Sequence, residues 1–184
     1  MKGDKEMALD MTALNELNKM IYNFSKENII EVTNVQPGLE AFCEWENEDR
    51  TGDITISYPI VTTCHSDKLY IEYLEELGLD TNRFNIWFAT LLHELFHAVT
   101  TPQFDEEGQI EYLNNLRKVE EMEDEDARLR TYFRLPIEAA ATKGAVDFIL
   151  RNKDLCEIFQ AKCIAKMIEF YNANDVIDED AFAE

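Results

Sequence analysis

The stretch TLLHELFHAV, at residues 90–99, constrains the fold more than any other part of the chain. It belongs to a helical pattern that is apolar on nearly every side, and such a helix lies inside a core. Burying His93, Glu94 and His97 in it is unfavourable unless a partner satisfies them. The pattern therefore predicts a central helix with a bound ligand, and its apolar positions are Phe84, Trp87, Phe88, Leu91, Leu92, Leu95, Phe96 and Val99.

The spacing of the polar residues in this stretch points to a metal. His93 and His97 are four residues apart, so they lie on one helix face and can direct their imidazoles at a common point. This geometry suits two ligands of a tetrahedral Zn²⁺. Glu94 directly follows His93 and therefore lies about 100° further around the helix. It is therefore predicted to be the general base for a water on the open side of the metal.

Length and charge limit the organisation of the chain and its partners. At 184 residues, the chain suits one domain with a hydrophobic core. We expect that domain over residues 1–172 and an acidic tail over residues 173–184. The net charge of −21 disfavours direct binding to nucleic acids or anionic membranes, because both are negative. Most of the acids are expected to form a solvated surface, and basic partners or substrates are the more compatible ones.

The cysteines and the N-terminal residues predict a reducing location. Cys43, Cys64, Cys156 and Cys163 show no CxxC spacing, and MKGDKEMALD lacks the apolar core of a signal peptide. We therefore expect a cytoplasmic protein with free thiols, in which Cys156 and Cys163 occupy core positions. No apolar run reaches the length of a membrane span.

The first part of the chain predicts one helix followed by a β section. Apolar residues recur at helical spacing over residues 10–28. The segments NIIEVTNV, EAFCEWE and DITISYPIV are predicted strands, and NEDRTG between the last two is a predicted turn. Pro59 cannot donate to a ladder, so the third strand should lie at a sheet edge or end there.

From Ser66 onward, the pattern predicts helices almost throughout. One helix runs over residues 66–78, and the helix that carries both histidines opens after Asp80 or Thr81. Further helices are predicted over residues 106–126, from Pro136, and over residues 154–171. In the last of these, the residues at core spacing are Leu155, Ile158, Phe159, Met167, Ile168 and Tyr171.

TLLHELFHAV resembles the extended HExxH signature of the zincin metallopeptidases. Thr90 stands where that pattern has Val or Thr, and Val99 supplies its closing hydrophobe. Metzincins continue HExxHxxGxxH, but Thr100 and Gln103 occupy the glycine and last histidine positions here. The layout over about residues 53–150 is instead similar to minimal gluzincins, including phage and bacterial IrrE-like proteins. This resemblance implies an α+β, zincin-like fold, mostly helical, with a small N-terminal β-sheet packed on a central HExxH helix.

The gluzincin resemblance implies that a glutamate on a later helix is the third zinc ligand. Glu138 begins an apolar helix and is followed by alanines, which allow close approach to a neighbouring helix. Glu120 and Glu121 lie nearer to the spacing of larger thermolysin-like enzymes, but their segment is very acidic. We favour Glu138 and keep that pair as the alternative. Thr142 is not the acid that often orients a zinc histidine, so Asp147 or a backbone carbonyl would take that role.

The resemblance also implies how a substrate lies in the cleft. In this family, the strand before the active helices forms the lower edge of the cleft, and the substrate backbone adds to it as a further strand. DITISYPIV is the candidate for that strand. The available donors for transition-state stabilisation are Tyr132, Arg134 and His65, of which we prefer Tyr132.

Together, these features predict a zinc metallopeptidase that hydrolyses peptide bonds in a protein or peptide substrate. His93, His97 and Glu138 would hold Zn²⁺, and Glu94 would act first as base and then as acid. Two other functions stay open. One is a catalytically silent interaction protein of zincin fold, whose acidic surface binds or mimics a charged partner. The other is an enzyme that uses the same zinc site on a non-peptide amide.

Overall fold

The computed structural model describes residues 9–60 and 66–175. Over these residues the fold is α+β and mostly helical, with a three-stranded sheet near the N-terminus, which confirms the predicted class. No helix among them is long and apolar enough to span a membrane. The elements are α1 (Thr12–Asn28), β1 (Asn34–Gly38), β2 (Phe42–Trp45), β3 (Ile54–Pro59), α2 (Ser66–Glu76), α3 (Ile86–Thr100), a 3₁₀ turn (Thr101–Gln103), α4 (Glu106–Glu120), α5 (Glu125–Tyr132), α6 (Pro136–Arg151) and α7 (Lys153–Ala173).

β3 is the central strand of the sheet. β1 pairs with it in parallel and β2 pairs with it in antiparallel orientation. The expectation that Pro59 places this strand at an edge is therefore wrong, and the alternative that the strand ends there is confirmed. A missing N–H at the last residue of a strand removes little from the ladder. Ile56 and Tyr58 are fully buried, so the apolar face of β3 packs into the core.

Helix caps move two boundaries away from their predicted positions. α3 begins at Ile86, because the side chain of Asn85 accepts a hydrogen bond from the first turn. The helix predicted over residues 106–126 is instead two helices. The side chain of Asp124 accepts a hydrogen bond from the N–H of Ala127, and this bond starts α5.

α3 runs through the core, as its sequence predicts. It contacts β3 on one side and α6 on the other. Its aromatic and aliphatic residues fill the space between these elements, and those that are 3% exposed or less include Trp87, Phe88, Leu91, Leu92 and Leu95. The helix that carries the two histidines is therefore the centre of the domain.

α6 approaches α3 closely because its facing residues are small. Ala141 and Ala145 are buried between the two helices. A Cβ atom added to Gly144 would lie 2.5 Å from Cδ1 of Phe96 on α3, which is closer than atoms pack. Gly144 therefore permits the approach that brings the start of α6 to the histidines.

α7 packs against α1 through a narrow apolar stripe. Phe159 stacks on Phe24 of α1, with ring centroids 3.8 Å apart. The core positions predicted for Leu155, Ile158 and Ile168 are wrong, because these residues lie off the stripe and are 40%, 58% and 41% exposed. The predicted burial of both cysteines is confirmed. The stripe consists of Cys156, Phe159, Cys163, Met167 and Phe170.

Gly144→Val tests the close packing of α6 on α3. The added side chain would collide with the ring of Phe96, so the free energy of unfolding should fall by about 1–3 kcal/mol. Lys143→Val changes the exposed neighbouring position and reports the effect of valine on this helix alone. Urea denaturation followed by circular dichroism measures both variants. Equal losses in the two would contradict the packing role of Gly144.

Candidate metal centre

α3 brings the two histidine side chains together. His93 and His97 are one helical turn apart, and their Nε2 atoms are 2.9 Å from each other. Their rings are nearly perpendicular, at 86°. Each side chain is 12% exposed, so both imidazoles reach a surface although their helix is buried.

α6 adds a carboxylate to this pair. Pro136 begins the helix, which places Glu138 in its first turn. Glu138 Oε2 lies 3.2 Å from Nε2 of His97 and 3.3 Å from Nε2 of His93. Burial raises the pKa of Glu138, but the two imidazoles beside it lower that pKa by more, so the net shift favours the ionised carboxylate. The structure thus brings together the three residues that the sequence pattern selects as ligands.

Two threonines orient the imidazoles. The Thr142 hydroxyl donates to the carbonyl oxygen of Glu138 at 3.0 Å, and its oxygen lies 2.9 Å from Nδ1 of His93. That oxygen therefore accepts the Nδ1 proton, which leaves a lone pair on Nε2, the form of histidine that binds metals. Thr101 Oγ1 lies 3.2 Å from Nδ1 of His97. Thr142 itself thus takes the orienting role that the sequence pattern assigned to Asp147 or a backbone carbonyl.

The three converging atoms suit a small divalent cation. The two Nε2 atoms and Glu138 Oε2 form a triangle with sides of 2.9, 3.2 and 3.3 Å. Ligand atoms of a tetrahedral Zn²⁺, with bonds of about 2.0–2.1 Å, are about 3.3–3.4 Å apart. Without a cation, lone pairs would face one another in a largely buried place, which is unfavourable. Two imidazoles and one carboxylate also match the ligand set of catalytic zinc sites, which keep a fourth position open.

Glu94 is a second buried carboxylate beside the triangle. Its ligand oxygen and the two imidazole nitrogens lie within 4.8 Å of one another, and the residue is 8% exposed. Glu138 Oε2 lies within 3.3 Å of both Nε2 atoms, so we assign Glu138 to the triangle. Burial raises the pKa of Glu94, although the nearby histidines and a hydrogen bond from the backbone N–H of Cys43 oppose this effect. A carboxylate in this state takes up a proton readily.

An open pocket of about 260 Å³ lies over the cluster. β2 and the turn after it contribute Cys43, Trp45 and Arg50 to the lining of this pocket. Tyr112 of α4 and Tyr132 of α5 also line it. A molecule that enters the pocket therefore meets Glu94, His97 and Glu138 together with aromatic and hydrogen-bonding groups.

Two tyrosines of the pocket stay protonated. Tyr112 donates its hydroxyl to Glu138 Oε1 at 2.6 Å, which holds the carboxylate from the side opposite the histidines. Burial and the negative charge of Glu138 raise the pKa of Tyr112 and of Tyr132. Sequence reasoning missed Tyr112, because the sequence of α4 is acidic and polar, and no local pattern marks Tyr112 as a residue that contacts α6.

Three other candidate residues of the described chain do not line the pocket. Arg134 forms an ion pair with Glu76 at 2.5 Å, and its side chain is 44% exposed. It does not line the pocket. Glu120 and Glu121 are exposed at the end of α4. His65 lies outside the described residues.

No protein-family model, curated protein or solved structure matches this chain. The chemistry of the centre is therefore inferred from its residues and their geometry.

Thr142→Val tests the orientation of His93. Valine keeps the shape of the side chain but cannot accept the Nδ1 proton, so affinity for Zn²⁺ should fall about 10- to 100-fold. Thr142→Ser restores the hydroxyl and should bind zinc nearly as the wild type does. Competition with a chromogenic chelator measures all three proteins. Unchanged affinity in the valine variant would contradict the orienting role.

Proposed function

We propose that this protein is a zinc-dependent metallopeptidase of zincin type that hydrolyses peptide bonds in a protein or peptide substrate. The observation that carries the proposal is the convergence of the His93, His97 and Glu138 ligand atoms beside a second buried carboxylate, Glu94. Glu94, His97 and Glu138 line an open pocket and have shifted pKa values, a combination that favours a reactive centre over a structural one.

His93, His97 and Glu138 would hold the metal. Three protein ligands of these types leave one position for water or substrate, as in catalytic zinc sites. Bound Zn²⁺ would supply Lewis acidity, which lowers the pKa of a water to about 7 and polarises the carbonyl group under attack. Thr142 Oγ1 and Thr101 Oγ1 lie next to the two Nδ1 atoms, so each imidazole would present Nε2 to the metal.

Glu94 would carry the proton during hydrolysis. As a base, it accepts a proton from the attacking water, and as an acid it delivers that proton to the departing amine. Its raised pKa suits both steps, and the N–H of Cys43 fixes the direction of the carboxylate. Tyr132, whose hydroxyl stays protonated in the pocket wall, would donate to the oxygen that gains negative charge.

The substrate backbone would add to β2. β3 has a strand on each side, so the expectation that DITISYPIV forms the open edge of the cleft is wrong. Among the described residues, β2 pairs with β3 alone, and its Phe42, Cys43 and Trp45 line the pocket. An extended peptide along this edge would gain main-chain hydrogen bonds and lie next to Glu94.

The proposal also covers the cellular compartment and the charge of the preferred substrates. Cys43, Cys156 and Cys163 are free thiols, which suits a reducing compartment such as the cytoplasm. The net charge of −21 favours substrates with basic segments and disfavours nucleic acids or anionic membranes.

Glu138→Ala tests the third ligand. The wild type should bind about one Zn²⁺ per chain, and loss of one of three protein ligands should remove most of it. Glu120→Ala and Glu121→Ala remove exposed carboxylates of α4 as matched controls and should keep the zinc. Elemental analysis after dialysis measures the metal. Zinc lost from the controls instead would move the ligand to α4, and a wild type that refuses zinc would contradict the proposal.

Glu94→Gln tests the proton carrier. Glutamine still accepts the hydrogen bond from Cys43 but cannot take a proton, so hydrolysis of a peptide library should fall by at least about 10²-fold while zinc is retained. Glu107→Gln, an exposed change on α4, should leave hydrolysis unchanged. Wild-type hydrolysis by Glu94→Gln would contradict its role. If the variant lost hydrolysis but kept every cellular effect of the wild type, the alternative of a catalytically silent interaction protein would be favoured.

A further inference from the structure

Arg50 is a cation of the pocket that the proposed mechanism does not use. It lies in the turn between β2 and β3, with a φ of 60°, in the left-handed region that residues other than glycine rarely adopt. The backbone N–H of Arg50 donates to the carbonyl oxygen of Asn47 at 2.9 Å, and this hydrogen bond stabilises the turn. Its side chain lines the same pocket as Glu94, His97 and Glu138.

Among the residues that the structure describes, the guanidinium of Arg50 makes one hydrogen bond and leaves its other N–H donors without protein partners. Nη1 donates to the carbonyl oxygen of Thr101 at 3.3 Å, and the group lies 5.7 Å from the ring centroid of Trp45. Within residues 9–60 and 66–175, no carboxylate forms an ion pair with it. Because a guanidinium carries five N–H donors, most of them remain available to a ligand.

Arg50 combines partial burial with the lack of a carboxylate counter-charge among the described residues. It is half-buried, and burial lowers its pKa, because removal from water disfavours a cation. The carboxylates of the pocket are already engaged, Glu138 by the histidines and Tyr112, and Glu94 by Cys43. Four other arginines of the described chain pair with glutamates, namely Arg83, Arg128, Arg130 and Arg134.

We propose that Arg50 binds a carboxylate of the substrate, either the C-terminal carboxylate of a peptide or an acidic side chain close to the scissile bond. This inference rests on the proposed peptidase function. A planar guanidinium fits a carboxylate through two parallel hydrogen bonds. The net charge of −21 repels anions in general. Arg50 would therefore attract a substrate carboxylate at this one position in the pocket.

Matched zinc-binding probes test this inference without turnover. The probes are the monohydroxamates of succinic, glutaric and adipic acid, together with counterparts in which a carboxamide replaces the free carboxylate. The hydroxamate group binds zinc in every probe, so only the remote group differs within a pair. Calorimetry measures binding to the zinc-loaded wild type, Arg50→Gln and Arg117→Gln. Arg117 is exposed on α4 and is the matched control for the loss of one positive charge.

The expected result is a carboxylate preference that depends on Arg50. In the wild type, at least one carboxylate probe should bind about 10- to 100-fold more tightly than its carboxamide. Arg50→Gln should bring that ratio close to one, and Arg117→Gln should keep it. A ratio close to one in the wild type would overturn the inference. Equal weakening of both probes in Arg50→Gln would also overturn it and would give Arg50 a positioning role through Thr101.

Zinc content, measured on the same samples, separates the two possible failures. If the wild type holds no zinc, the proposed function fails and the carboxylate site falls with it. If the wild type holds zinc but shows no carboxylate preference, only the carboxylate site is overturned.

Peptide competitors identify the source of the carboxylate. N-acetylated peptide pools with free or amidated C-termini, and amidated pools that end in glutamate or glutamine, compete with the hydroxamate probe. A preference for free C-termini that disappears in Arg50→Gln assigns the main-chain carboxylate. A preference for glutamate over glutamine assigns the side chain. The absence of both preferences would overturn the assignment to a substrate carboxylate.

Discussion

The burial of ionisable side chains where α3 meets α6 is the constraint on which the rest of the structure depends. Two imidazoles and two carboxylates lie next to an apolar core, and such groups are costly to bury unless they are paired and hydrogen-bonded. Threonine oxygens hold the Nδ1 atoms, Tyr112 holds one carboxylate and Cys43 holds the other. The three ligand atoms that remain turned toward one another are the ones that a cation would satisfy.

The helices and strands around the cluster supply its ionisable groups and the hydrogen bonds that satisfy them. α3 provides the histidines on one face of a buried helix, and α6 provides Glu138 in its first turn. The small residues of α6, Gly144 above all, allow the two helices to approach closely enough for these groups to meet. β2 contributes the N–H that directs Glu94, and the turn after β2 adds Arg50 to the rim of the pocket. The sheet thus serves the centre as well as the core.

The parts of the fold that could be predicted are those that local physics decides. Periodicity and helix signals give the helices, the burial of α3 and the histidine pair, and the small residues around Glu138 single out its helix. Contacts that depend on tertiary packing could not be predicted in this way. Tyr112 and Arg50 reach the site through the packing of α4 and of the turn after β2, which no local sequence pattern specifies. Pro59 shows that a residue unsuited to a central strand is tolerated at the end of one. Ile158 shows that hydrophobicity alone does not decide which face of α7 meets α1.

Anomalous diffraction from crystals of the zinc-loaded protein, recorded above and below the zinc absorption edge, is the most direct test of the proposed metal centre. We expect one strong peak about 2.0–2.2 Å from Nε2 of His93, Nε2 of His97 and a carboxylate oxygen of Glu138. Glu94 should lie outside bonding distance of that peak. A peak bound by Glu94 in place of Glu138, a peak held only by surface acids, or the absence of any peak would contradict the proposed centre.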